Sequence, residues 1–192
     1  MIPAPIFAAG DPPSRFKMVY FLYDENHVPE THAVETLVKA AHPEVRFIAL
    51  HGPYGGQIRV WESQVRPFLV GNSLMVGIGL TGTAAALLQE HLPEFNLSVL
   101  AINSPTTYGS INLKKVDHRV ALYSTGYIGG SCEAWPTLSD ISFNVSWLRY
   151  GILSESGGNL CKYLVSLVIA AYIKEPNIKS VLSKDLMSAG AS

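Results

Sequence analysis

Charge of either sign is scarce in this chain. Lys and Arg number 14 and Asp and Glu 15 among 192 residues, for a net charge of −1. Without a basic surplus nothing can neutralise a phosphate backbone, so nucleic acid is excluded from the expected partners. Long apolar runs are missing too. Stretches such as Leu164 to Tyr172 fall far short of the ~20 residues a membrane-spanning helix needs, and no membrane partner is expected. Cysteine is rare. Cys132 and Cys161 could pair once, but two thiols make no disulfide framework and suit a reducing cytoplasm. Residues 2–9 are apolar but broken by Pro3 and Pro5 and lack the basic start of a secretory signal, which makes cytoplasmic residence the expected location.

What is present is apolar: 48% of the residues are hydrophobic, enough to fill the core of one domain. Residues 1–15, with four prolines, read as an irregular N-terminal arm, residues 16–187 as a single domain, and residues 188–192 as a frayed end. Within the domain, strand and helix patterns alternate. Lys17–Tyr23, Val45–Leu50, Ser73–Ile78 and Leu97–Ile102 read as strands, and Glu30–Ala41, Gln57–Leu69 and Thr83–His91 as helices. A polar, glycine-rich stretch follows. Beyond it, Leu138, Ile141, Val145 and Leu148 fit a helix over Thr137–Tyr150, then come a short strand at Ile152–Leu153 and a long helix over Asn159–Tyr172. Repeated βα units predict a three-layer α/β sandwich around a mostly parallel sheet.

Ligands of such sheets gather at the carboxyl ends of the strands. Here those are Tyr23–Asn26, His51–Gly55, Gly79–Thr83, Asn103–Tyr108 and Ser154–Cys161. Gly77-Ile-Gly79-Leu-Thr-Gly82 has the spacing that lets a pyrophosphate approach a helix start. It follows the third strand, however, and the next strand ends in Ile102-Asn103 with no acid for a ribose. A tight strand-to-helix turn is the reading, and no cofactor is expected. The six histidines show neither an i, i+4 pair nor zinc-site spacing, so no metal is expected either.

Ser154-Glu-Ser-Gly-Gly-Asn-Leu-Cys161 places a thiol in the first turn of the last long helix. Free N–H groups and the helix dipole there favour a thiolate nucleophile; a buried structural cysteine is the alternative. Glu90, near the far end of the helix after Gly79, reads on its own as a solvated helix residue.

These residues resemble the pyroglutamyl peptidase I family of cysteine peptidases. Gly79-Leu-Thr-Gly-Thr-Ala-Ala-Ala-Leu-Leu-Gln-Glu90 is similar to that family's glycine turn and the helix ending in its catalytic Glu. Ser156-Gly157-Gly158-Asn159-Leu160-Cys161 is similar to its cysteine motif, and Ala101-Ile102-Asn103 matches a recurrent tripeptide. The resemblance implies the phosphorylase/hydrolase-like α/β sandwich, with Cys161 as nucleophile on an amide carbonyl and Glu90 orienting a histidine base. That histidine is absent: none follows His118. Of the histidines at strand ends, His27 and His51, His51 is the expected substitute, against the alternative of a loop histidine at the surface. Phe21 and Tyr23 stand where the family has an aromatic pocket loop, and Gly82, Thr83, Asn159 and Leu160 complete the expected substrate wall.

Three functions follow. The first is a repurposed enzyme acting on a lactam, lactone or other small acyl compound by hydrolysis, isomerisation or cyclisation. The second is a binding protein that keeps the pocket without the chemistry, and the third a true peptidase with an unconventional base. A small molecule is the expected partner, and a homo-oligomer stays open.

Overall fold

The structure, a computed structural model, describes residues 14–53, 57–127, 132–149, 151–152 and 158–179. The expected arm up to Pro13, Leu153, the segment 154–157 and the frayed end lie outside the described residues. Arg15, assigned to the arm, is tied down: its N–H donates to the Ile173 carbonyl and its guanidinium to the Tyr172 carbonyl.

The elements run β1 (Val19–Tyr23), α1 (Val28–Ala41), β2 (Phe47–His51), α2 (Ile58–Val65), β3 (Leu74–Ile78), α3 (Leu80–His91), β4 (Ser98–Ile102), β5 (Thr107–Tyr108), β6 (Ile111–Asn112), β7 (Arg119–Tyr123), α4 (Trp135–Leu138), β8 (Ile141–Asn144) and α5 (Gly158–Lys174). Strands β5 and β6 form a small antiparallel hairpin. The other six make one sheet in the order β2-β1-β3-β4-β7-β8, with every pairing parallel.

Strands β3, β4 and β7 are buried along their whole length, as befits the middle of a parallel sheet covered on both faces. Alternate residues feed two cores. Val19, Phe21, Val76, Leu100 and Leu122 point to the face covered by α1 and α5, and Tyr20, Leu22, Met75, Val99 and Ala121 to the face covered by α2, α3 and α4. The result is a three-layer α/β sandwich, as the alternation of patterns predicted.

Two elements differ from expectation. Arg119–Tyr123 is a central strand, hidden from pattern reading because its first residue is a charged one that is nevertheless fully buried. The helix expected over Thr137–Tyr150 stops at Leu138 and gives way to β8 and a single 3₁₀ turn over Ser146–Leu148. Ile141, Phe143 and Val145 also alternate, so the same residues satisfy a strand. Pairing with β7 decides between them, with the Asp140 N–H donating to the Arg119 carbonyl. Ile152, expected in a strand, lies in a buried turn.

Among the described residues no helix is long and apolar enough to cross a membrane.

Candidate functional site

The chain leaves β1 for β2 on one side and later enters β3 on the other, so the carboxyl ends of β1 and β3 open a crevice of the kind where parallel sheets take their ligands. The residues after β1 are polar and turn sharply. Asp24 accepts the backbone N–H of Asn26 at 2.8 Å, and its carboxylate oxygens stand 3.1 and 3.2 Å from Nδ1 of His27, the residue before α1. Nε2 of the same ring lies 3.8 Å from the Glu30 carboxylate, in the first turn of α1.

The imidazole packs over the backbone of Gly79. A Cβ there would meet Cε1 of His27 at 2.6 Å, and Gly79 has φ +71°, so both space and backbone conformation call for glycine. Gly77 and Gly82 serve the packing of β3 against the first turn of α3. The glycine motif is thus the tight strand-to-helix turn read from the sequence.

The electrostatics of this cluster are mutual. The hydrogen bond that His27 donates to Asp24 raises the His27 pKa against the opposing effect of partial burial, and the charges of Asp24 and Glu30 add to the rise. Burial is the largest influence on the Asp24 carboxyl and pushes it up, but the hydrogen bond and charge of His27 together with the backbone N–H groups of Asn26 and His27 outweigh it and hold the group below its ordinary value. Burial also raises Glu30. Lys162 in α5 acts on Glu30, and Tyr127, beyond β7, feels both Glu30 and Asp24. Around this charge the first turns of α1, α3 and α5 carry the exposed apolar side chains Val28, Leu80 and Leu160.

Cys161 sits in the first turn of α5, as expected, but it is fully buried and its thiol donates to the Trp147 carbonyl at 3.1 Å. Burial pushes its pKa up, opposite to the thiolate expected from a helix start. Desolvation of an anion here outweighs the dipole of the helix end. Cys132 is also buried, with its thiol pushed up to about 11 by burial and Glu133. The two cysteines are not joined. In the native protein at neutral pH, iodoacetamide is expected to label Cys161 many times more slowly than in urea; equal rates by intact mass would overturn this account of the thiol.

Glu90 is at the opposite edge of the sheet. It lies one residue before the end of α3, bonded to the buried guanidinium of Arg119 at 3.1 Å and to the Lys114 N–H at 3.2 Å. It therefore does not meet Cys161. A helix that leaves the carboxyl end of β3 must finish beside the amino end of the sheet, and eleven residues after Gly79 is all but the last residue of α3.

His51 ends β2 at the edge of the sheet and is exposed. Its carbonyl accepts the Trp61 indole N–H, and the residue lines a pocket of about 360 Å³ between β2 and α2 with Trp61, Val65 and Phe68. The other wall residues scatter. Phe21 is core, its ring 5.9 Å from that of Phe47, and the Tyr23 hydroxyl donates to Glu35. Thr83 is buried and donates to the Pro105 carbonyl at 2.5 Å, whereas Leu160 is exposed on the rim. The side chain of Asn159 lies outside the described residues.

Sequence reading passed over Asp24 and preferred His51 to His27. The signal was present: an acid and a histidine three residues apart, straight after the first strand. Among the described residues no three His, Cys, Asp or Glu side chains stand close enough together to hold a metal ion. Compared with protein-family models and with curated proteins, the chain finds no match in either.

Proposed function

We propose that this chain is an enzyme acting on a small acyl or cyclic compound at the carboxyl edge of the sheet, with His27 as proton-transfer group and Asp24 as the residue that orients it. One observation carries the reading. An imidazole bonded to a carboxylate packs on Gly79 at the crevice between β1 and β3. With Nδ1 engaged by Asp24, Nε2 is the nitrogen left for a substrate, since Glu30 at 3.8 Å is beyond hydrogen-bond reach. The raised pKa keeps the ring protonated further into the neutral range, which suits a proton donor that gives its Nε2 proton to the leaving group and takes one back from solvent water. Val28, Leu80 and Leu160 offer an apolar rim for the body of the compound. The starts of α3 and α5 carry backbone N–H groups of the kind that stabilise a developing oxyanion.

The resemblance to pyroglutamyl peptidases supports an acyl substrate and a cytoplasmic setting in which both cysteines stay thiols. For Cys161 to attack a carbonyl its bond to Trp147 has to open and its proton has to pass to a base, which then returns that proton to the departing amine or alkoxide; Glu90 takes no part. The buried, proton-retaining thiol favours a second reading, a binding protein that performs no chemistry.

The test is a panel of pyroglutamyl amides, lactams and lactones assayed with the wild type, His27→Ala and Cys161→Ala, alongside an NMR titration of the His27 imidazole. Turnover is expected to fall by roughly 100-fold or more in His27→Ala, the range set by loss of general acid–base catalysis. The imidazole is expected to titrate above its ordinary value and to return toward it in Asp24→Asn. Turnover that survives His27→Ala overturns the proposal. Binding without turnover of any compound leaves the non-catalytic reading in its place.

A further inference from the structure

Asn103 is the first residue after β4, one step beyond the Ile78–Ile102 pair of the sheet, and so lies beside Gly79, against which His27 packs. The Gly79 N–H donates to the Ile102 carbonyl at 2.8 Å and ties the two strand ends together. Asn103 is 2% exposed, and its backbone is left-handed at φ +48°. Its Nδ2 donates to the Leu148 carbonyl at 3.2 Å. A carbonyl can face only the NH2 end of an amide, so the orientation is fixed and Oδ1 is the free end. Among the described residues that oxygen has no partner. Among the described residues it shares this condition with Ser73 Oγ alone, which belongs to the opposite edge, just before β3.

A left-handed backbone accounts for glycine or asparagine at this position, and glycine would meet it without the cost of leaving a buried acceptor unpaired. The backbone therefore does not explain the amide. A second tie fixes its surroundings. The carbonyl next to the one Asn103 uses, that of Trp147, accepts the Cys161 thiol. The turn at Ser146–Leu148 thus draws the end of β4 and the start of α5 to the same edge.

We infer that Asn103 is a specificity residue of this site, its Oδ1 accepting an N–H or O–H from the bound compound. The inference rests on the small-molecule reading above and adds to it a requirement for a hydrogen-bond donor. Compounds that carry one then pair the buried oxygen, while their methylated counterparts leave it unpaired and add bulk against it.

The experiment uses a fragment set in which each N–H or O–H compound is matched with its N- or O-methyl partner. Binding to the full chain is followed by NMR, with the His27 imidazole reporting on the site. Donor-bearing fragments that shift His27 are expected to bind about tenfold tighter than their methylated partners, the worth of one paired buried acceptor. The preference is expected to vanish in Asn103→Gly, which keeps the backbone conformation and removes the acceptor. Equal affinity within the pairs on the wild type overturns the inference without recourse to any variant, as does a preference that persists in Asn103→Gly. Fragments that leave the His27 signal unmoved overturn the small-molecule reading, and the inference with it. A complex structure with an ordered water on Oδ1 in place of the fragment overturns the inference alone.

Discussion

Arg119→Met is expected to destabilise the protein by roughly 3–5 kcal/mol, the range found when one partner of a buried ion pair is removed. Arg119 opens β7 and is fully buried. Nε donates to Gln89 Oε1 at 2.7 Å; Nη2 donates to the Ala86 carbonyl and to the Glu90 carboxylate, both at 3.1 Å. Nη1 reaches the carbonyls of Lys114 and Leu138. One side chain thus satisfies α3, the loop before β7 and the end of α4 at once. Burial lowers its pKa and Glu90 opposes that shift; the guanidinium stays a cation, and Glu90 is the carboxylate that pairs with it. Methionine fills much of the volume but leaves Glu90 charged and several acceptors unpaired. Urea unfolding reads the loss as a lower midpoint at unchanged slope. Glu90→Gln placed on top of Arg119→Met is expected to recover part of it, because no buried charge then remains. A loss below about 1 kcal/mol would rank the pair with surface ion pairs and reject the account.

Gly77→Ala is expected to cost roughly 3 kcal/mol or more, at the upper end of what overpacking does. A Cβ on Gly77 would run into the backbone nitrogen of Gly82 and come within 2.5 Å of the carbonyl carbon of Thr81. Neither is a side chain that could swing away. The first turn of α3 would have to lift off β3, and both elements are central to the fold. Thermal unfolding of the variant measures this directly. A midpoint within a few degrees of the wild type would mean that the helix and strand are packed less closely than described.

Most of the architecture was legible because its elements are periodic. β1, β3 and β4 are unbroken apolar runs between turn residues, and α1 carries Val34 and Val38 at helical spacing toward the core. β7 was not legible because its buried arginine looks like a surface residue until Glu90 and Gln89 are seen beside it. β8 was misread because Ile141 and Val145 satisfy both periods. For the candidate site, strand ends alone point to the edge at which Asp24 and His27 stand. The choice among residues at that edge could not be made from them. Cys161 was placed correctly on its helix, but its protonation depends on burial, a tertiary property. Glu90 was excluded by the length of a helix, and His27 gained importance only through contact with Gly79, some fifty positions away.

The order of strands also bears on how the chain is made. β2, β1, β3 and β4 are neighbours in the sheet and are all complete by Ile102, so four contiguous strands with α1, α2 and α3 can assemble while the remainder is still being synthesised. The layer that shields Phe21, Val76 and Leu100 is finished only by α5, whose last residue is Lys174. A nascent chain about a hundred residues long therefore presents a formed sheet with one face half bare. Through that interval the uncovered apolar face is open to aggregation, and substitutions that delay the docking of α5 lengthen it.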